Sequence, residues 1–561
     1  MTAALADLEI IEGKLLAAVD EMGVVLARTS MSPVIYEVLD FACGICTAEG
    51  ELIAQSNGLT LFTGTFSAQV RFITRKFAGR IRPGDAFITN DPFEGGTHAC
   101  DMAVVQPIFV DDEIIAYSIS VAHWLDVGGA IPGSLPPDAV DTFQEGLRLP
   151  GMRLCVDGEL LQEMADLIRV NVRLPLLALG DLNAELAATR IGLRRVGAIC
   201  ERYGVASVKD VFESILSLSE KRSRNAVAAL PDGVYKATDV IDGDGVSDEQ
   251  IPVCVAVKID GDRVCVDFTG SAPARGGPIN CSRGALLSAV KTVFKALVEP
   301  HAPSNDGWFR PLEIEIPDGT VFSAESPSPV GWYYEGSSQA SELVWKALAP
   351  LATERFSAGS YMSLCATYFY GQRPDRNGLF VHIEPQHGGW GATEHRDGAS
   401  ALIASTDGDT FNYSVELLEA ILPLRVREYS LNVGDGSGAG RCRGGFGVVR
   451  EYEILTDAAF FHGSLGRSQE RPWSVDGGAP GTVNYVDITS GSGSKRMARI
   501  KQTALSHGDT VRIVTGGGGG WGDPRERSLE SVESDVLNGY VAAEDATAAY
   551  GFDPKMPATI V

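Results

Sequence analysis

The chain has 561 residues, 45% apolar and 21% charged. These are the proportions of a globular protein with ample core material, which excludes disordered and fibrous classes. Its 73 acidic residues outnumber 47 basic ones for a net charge of -26, a field that repels nucleic acid and anionic lipid and so disfavours a role on DNA, RNA or a membrane surface.

No apolar run approaches the ~18 residues of a spanning helix. The opening Met1-Thr2-Ala3-Ala4-Leu5-Ala6-Asp7-Leu8-Glu9 lacks the basic and apolar segments of a signal peptide, so a cytoplasmic location is expected. Ten scattered cysteines then read as reduced, packed thiols. Cys43-Gly44-Ile45-Cys46 is a CxxC without a second pair and reads as strand rather than zinc clasp.

In chain order, apolar residues at helical spacing predict a helix over 6–27. A hairpin follows, Phe41 to Cys46 and Leu52 to Ala54 around a turn at Ala48-Glu49-Gly50. Residues 102–123 form a second hairpin. Leu/Ala/Arg periodicity predicts helix over 159–230. From Gly233 short strands dominate, including Val253 to Ile259 and Arg263 to Asp267, with a helix over Leu286 to Val298. The last third is glycine-rich, at 434–438 and 516–520, and closes in an acidic helix pair over 529–550. The expected class is α+β, with an N-terminal mixed metal-site region (1–158), a helical segment (159–230), an α+β middle domain (231–430) and a glycine-rich β domain with terminal helices (431–561), so that the C-terminal half is rich in β structure.

The densest chemical signal is the run Thr89-Asn90-Asp91-Pro92-Phe93-Glu94-Gly95-Gly96-Thr97-His98-Ala99-Cys100-Asp101. It leads into the second hairpin, which ends at His123-Trp124. A turn centred near Asp112 sets Asp101 opposite His123, with Cβ atoms roughly 4.5–5.5 Å apart. His98 lies three residues earlier in a glycine-loosened loop that can fold back. Two imidazoles and a carboxylate suit a borderline divalent metal such as zinc, manganese or iron; a capped turn with two satisfied histidines is the alternative. Asp40, opening a strand after a proline segment, is a candidate fourth ligand. Glu384-Pro385-Gln386-His387-Gly388-Gly389-Trp390-Gly391, with His395, is a further loop whose glycines suit either turns or close approach to a ligand. The run 516–520 lacks the lysine and flanking elements of a phosphate loop, and no serine-hydrolase elbow has the required context.

Many pieces together resemble the hydantoinase B/5-oxoprolinase family, including HyuB-type subunits and the related acetone and acetophenone carboxylase α-type subunits. They are Asp40-Phe41-Ala42-Cys43, Asn90 to His98, Asp126-Val127-Gly128-Gly129, Pro132-Gly133-Ser134, Glu145-Gly146-Leu147, Asn171-Val172-Arg173, Gly180-Asp181-Leu182, Asp267 to Ser271, Gly438 to Gly445 and Gly522-Asp523-Pro524. The resemblance implies a metal held by Asp40, His98, Asp101 and His123, zinc foremost. It also implies a HyuA-type partner that binds ATP, in a hetero-oligomer. Asp126 is the candidate base or supporting residue. The pattern differs at Trp124, where a second histidine is common, and at Ser56 to Phe62, where another is usual; Trp124 and Phe62 are expected to dry the pocket. The function implied is the metal-dependent subunit of an ATP-dependent cyclic-amide (hydantoin, oxoproline or lactam) amidohydrolase, acting on a substrate phosphorylated in the partner. The alternatives are a subunit of an ATP-dependent ketone carboxylase, or an assembly subunit with a degenerate site.

Overall fold

The computed structural model describes residues 2–374, 378–408 and 410–552. Helix α1 (Thr2–Thr29) packs on the first sheet, whose strands are β1 (Phe41–Thr47), β2 (Leu52–Gln55), β3 (Ala86–Thr89), β4 (Asp101–Val110), β5 (Glu113–His123), β6 (Met152–Val156) and β7 (Glu159–Leu160) in the order β2-β1-β5-β4-β3-β6-β7. One helical turn, α2 (Thr60–Thr63), follows β2. The strands β1, β4 and β5 are buried along nearly their whole length. This explains continuous apolar runs in place of a clean alternation, since helices cover one face and the rest of the chain the other.

The helical segment is more broken than its periodicity predicts. Residues 159–160 are strand, and a helix over Gln162–Asn171 ends before α3 (Pro175–Tyr203) and α4 (Val205–Ala228). The break has two causes. Pro175 disfavours helical geometry in the residue before it, and the Arg173 N–H donates to the Asp126 carboxylate at 2.7 Å instead of continuing a helix.

Beyond residue 230 three smaller sheets form. Strands β8 (Gly233–Ile241), β9 (Ile251–Asp260), β10 (Arg263–Asp267) and β11 (Leu312–Glu315) make one. Helices α5 (Arg283–Val298) and α6 (Tyr333–Leu348) pack together near it. A second joins β12 (Ala366–Gln372), β13 (Leu379–Glu384), β16 (Ala459–Ser464) and β19 (Arg499–Leu505). The third orders β14 (Leu424–Leu431), β15 (Val448–Ile454), β20 (Thr510–Val514), β17 (Tyr485–Ser490) and β18 (Gly493–Met497). The class is α+β with a β-rich C-terminal half. No helix among the described residues is long and apolar enough to cross a membrane.

The glycine-rich runs are not strands but a block of closely apposed backbone. A Cβ on Gly518 would sit 2.1 Å from the Trp390 carbonyl, and one on Gly519 2.0 Å from that of Trp473. All five N–H groups of 516–520 donate within the protein, to Asn484, Thr482, Gly445, Gly359 and Ala479. None is left to cradle a phosphate.

Candidate metal centre

Strand register assembles the site. Asp101 opens β4 and His123 closes β5, and the two are direct partners in the antiparallel ladder, as the hairpin arithmetic predicts. Strand β1 lies on the other side of β5, with Phe41 opposite Ala122, and the His123 N–H donates to the Asp40 carbonyl at 3.0 Å. Asp40 is thereby carried to the same end of the sheet. His98 arrives by a loop pinned through Asn90, whose side chain donates to the carbonyls of Ala99 and Leu147 and accepts from Leu149 N–H at 2.6 Å. The loop needs its glycine pair. Gly95 has φ 97°, and a Cβ on Gly96 would lie 2.8 Å from the Asp91 carbonyl.

Three donor atoms converge. Asp101 Oδ1 lies 2.9 Å from His98 Nε2 and 3.0 Å from His123 Nδ1, and the two nitrogens are 3.3 Å apart. A cation with ~2.1 Å bonds requires donors roughly 3.0–3.4 Å apart, so the triangle has the right size. The tautomer agrees. His98 Nδ1 faces the Gly331 carbonyl at 2.9 Å, which keeps the proton on Nδ1 and turns the Nε2 lone pair toward the Asp101 oxygen. Two lone pairs facing one another call for a cation between them or an added proton. Burial would raise the Asp101 carboxyl, but the neighbouring imidazoles hold it far below its usual range. Burial lowers His123, whereas for His98 the Asp101 charge outweighs burial and raises it. Cys100 also brings its sulfur within 4.8 Å of the histidine nitrogens. Burial pushes that thiol well up and it points weakly to the Gly133 carbonyl at 4.0 Å, so Asp101 is the better third donor.

The surroundings are short of positive charge. Asp40 is half-buried as a residue, but its Oδ1 is buried without a partner, and desolvation together with Asp407 and Asp101 raises its carboxyl well above normal. Burial raises Asp407, another lining residue, to about 7. Two imidazoles and four carboxylates, of which Glu384 alone is paired with an arginine from outside the lining (Arg450), and no lysine or arginine among the cavity's lining residues form a set that a divalent cation would neutralise. The cavity they line measures about 30 Å³, room for one or two water-sized occupants. Leu59, Phe62, Tyr334, Tyr368 and Ile383 make its apolar walls.

Three contributors are not among the expected site residues. Tyr333 OH donates to Asp101 Oδ2 at 2.9 Å. Glu145 accepts the N–H groups of Val330 and Gly331 at 3.1 and 2.5 Å, fixing the carbonyl that orients His98. Asp407 adds a further carboxylate to the lining. Glu145 belongs to the Glu145-Gly146-Leu147 motif, which is the one pointer the sequence offers. Tyr333 and Asp407 come from distant segments.

Other expected residues are placed elsewhere. Asp126 is buried, but its Oδ1 accepts from the N–H groups of Gly128 and Arg173, and its Oδ2 from Gly133 N–H and the Arg173 guanidinium. Four donors saturate a carboxylate, so this geometry supports a loop clamp rather than the expected base. Trp124 does not dry the pocket either. Strand alternation sends it away from His123, and its indole N–H donates to Glu185 on α3 at 2.9 Å. Phe62 does line the cavity. In the loop 384–391 only Glu384 and Pro385 reach it. Glu384 is held by Arg450 and His382 at 3.1 and 3.0 Å. Its glycines serve backbone packing, since a Cβ on Gly389 would lie 2.2 Å from the Gly445 carbonyl. His395 is exposed, and Cys43 and Cys46 are buried free thiols within β1.

Comparison with known proteins adds a consistent picture. The family model described as Hydantoinase B/oxoprolinase matches residues 5–524. A protein of Pseudomonas sp. (strain NS671), named as one of the subunits of a D-/L-hydantoinase, is 32% identical over 97% of this chain and 94% of its own length. The β subunit of the caprolactamase of Pseudomonas jessenii is 28% identical over 97% of this chain and 95% of its own. Among solved structures, the ATP-dependent caprolactamase from Pseudomonas jessenii superposes with a TM-score of 0.90 at 26% identity, covering 98% of this chain and 97% of that one. An acetone carboxylase in its nucleotide-free form gives 0.89 at 19% identity over 97% and 79%, a likeness of fold.

Proposed function

This chain belongs to the hydantoinase B/oxoprolinase family, and from that membership we propose that it is the hydrolytic, metal-dependent subunit of an ATP-dependent cyclic-amide amidohydrolase. The observation that carries the reading is the convergence of His98, Asp101 and His123 within 3.3 Å of one another, in a chain whose relatives include subunits of a caprolactamase and of a hydantoinase. Amide resonance makes a lactam or hydantoin a poor electrophile, so activation is required. In this reading a HyuA-type partner binds ATP and phosphorylates the amide oxygen. The names of the two relatives, each a single subunit of its enzyme, support a hetero-oligomer.

Asp40, His98, Asp101 and His123 would hold the metal, zinc foremost. When bound, the ion supplies water activation by lowering the pKa of a coordinated water. The chain's own residues do the rest. Gly331, fixed by Glu145, holds the proton on His98 Nδ1. Tyr333 and Thr97 donate to Asp101 Oδ2 at 2.9 and 2.5 Å, leaving Oδ1 for the centre. Asp126 and Arg173 clamp the loop 127–134. The tight apolar walls exclude bulk water, which protects an activated intermediate from premature hydrolysis.

The test is co-expression with the partner and assay of ATP-coupled ring opening on hydantoin, 5-oxoproline and caprolactam. His98→Ala is expected to abolish both metal stoichiometry and turnover while leaving the fold intact. Retained metal and retained turnover would end the assignment. Turnover that depends on bicarbonate and carries labelled carbon into product would instead establish the ketone-carboxylase branch.

A further inference from the structure

A second cavity, of about 200 Å³, lies on the far side of α2 from the metal centre. Leu59 and Phe62 face the metal cavity, whereas Thr60 and Thr63 line the outer one. One helical turn is the partition. It is held by Thr60 Oγ1 donating to the Thr406 carbonyl at 3.0 Å, next to Asp407, and by Ser288 Oγ donating to the Thr60 carbonyl at 2.8 Å. Gly64 presses on α5 so closely that a Cβ there would lie 2.0 Å from Ser288 Oγ.

The outer cavity is lined by both charged and apolar groups. Lys291 and Lys295, one turn apart on α5, bring two ammonium groups. Lys291 Nζ is 3.3 Å from Asp306 Oδ1 and 3.4 Å from the Gly64 carbonyl. Lys295 Nζ donates to the carbonyls of Ala302, at 2.9 Å, and Glu299. An ammonium has three N–H donors, so oxygen acceptors take two on each, and each ammonium also lies over an aromatic ring, Lys291 over Phe309 and Lys295 over Trp308. Asp306 is the one carboxylate of the lining, and its other oxygen is taken by Leu52 N–H and Ser67 Oγ. Two ammonium groups against one carboxylate make an electropositive spot in a chain of net charge -26. Burial pulls the Lys295 ammonium down to about 8, a cost that a bound anion would reverse. Leu52, Ala296, Pro300 and Phe309 supply its apolar wall, and Gln55, Thr292 and Ser304 line it as well.

We propose that this outer cavity binds a small organic carboxylate, its acid group on Lys291 and Lys295 and a short carbon skeleton against the apolar wall. The assignment gains meaning from, and in that respect rests on, the amidohydrolase reading. Hydrolysis of a neutral ring amide creates one new carboxylate, and the first cationic groups beyond the α2 partition are these lysines. A ring substrate that already bears an acid group would use the same contacts.

The test is calorimetric titration of the full chain with hexanoate, 5-oxoproline and inorganic phosphate, with the acetylation rate of Lys295 followed by mass spectrometry. Saturable binding of an organic acid that protects Lys295, with phosphate weaker by about tenfold or more, is the expected result. Preference for hexanoate identifies an open-chain product and preference for 5-oxoproline a ring substrate. Lys291→Gln and Lys295→Gln should each weaken binding by about tenfold. Because Lys295 also ties down the end of its helix, Ala296→Leu provides a second variant that fills space at the apolar wall without altering charge, and it should weaken the acids to a similar extent. Binding of phosphate as tight as the acids, absence of saturable binding, or undiminished affinity in all three variants would overturn the proposal. Acid binding without any ring-opening activity would refute the amidohydrolase reading and leave the carboxylate site standing.

Discussion

His98 shows how little of a site one residue determines. Its Nδ1 is fixed by the Gly331 carbonyl, and Gly331 is anchored in turn through its N–H by Glu145. A change at Glu145 should therefore act on the centre through the Gly331 backbone, without touching it. A different single residue makes stability depend on pH. Glu335 is fully buried, and burial, opposed in part by Arg499 and by bonds from Ser363 and Gly466, raises its carboxyl to about 7. The sign follows from linkage. The unfolded carboxyl ionises near its ordinary value, so the stability of the protonated folded form is fully present below that pH and is lost as pH rises toward 7. The loss is on the order of 3 kcal/mol. Glu335→Gln, which cannot ionise, is expected to flatten the fall in melting temperature between about pH 5 and 8, measured by thermal denaturation against the parent protein.

At the level of elements, two arrangements do different work. The ladder of β1, β5 and β4 sets three of the four expected ligands, because a direct pair is fixed by register, and a slip of one residue would turn Asp101 to the other face. The glycine block around 516–520 is structural, where backbone meets backbone with no side chain able to yield. Gly518→Ala is expected to destabilise by about 3 kcal/mol or more, since the new methyl meets the Trp390 peptide and cannot be accommodated by a rotamer change. Gly491→Ala, where nothing lies within 4 Å, should stay within roughly 0.5 kcal/mol. Urea unfolding of the two variants distinguishes a packed block from a mobile glycine loop.

Across the whole molecule, the centre is shared between the two halves of the chain. Its lining comes from residues 34–123 and again from 333–407, so the N-terminal region contains the ligands but only part of their support. A fragment of residues 1–230 keeps Asp40, His98, Asp101 and His123 and loses Gly331, Tyr333 and Asp407. It is expected to bind zinc substoichiometrically where the full chain binds one equivalent, as read by metal analysis after dialysis. Equal occupancy in fragment and full chain would mean that the second half plays no part in the centre.

The division between sequence and tertiary structure follows from range. Hairpin pairing is local, so period-2 patterning and one turn suffice to place Asp101 against His123, and the Asn90 to His98 loop declares itself by its turn and glycine residues. The α+β class and the β-rich second half are legible for the same reason, because helical and strand periods are properties of short windows. Contacts between remote segments leave no such trace. That Tyr333 and Asp407 face the centre, that Trp124 turns away to Glu185, that Asp126 spends all its lone pairs on its own loop and on Arg173, and that the glycines of 516–520 pack on Trp390 and Trp473 were decided only when the chain closed on itself. Side-chain direction and lone-pair saturation depend on neighbours tens to hundreds of residues away.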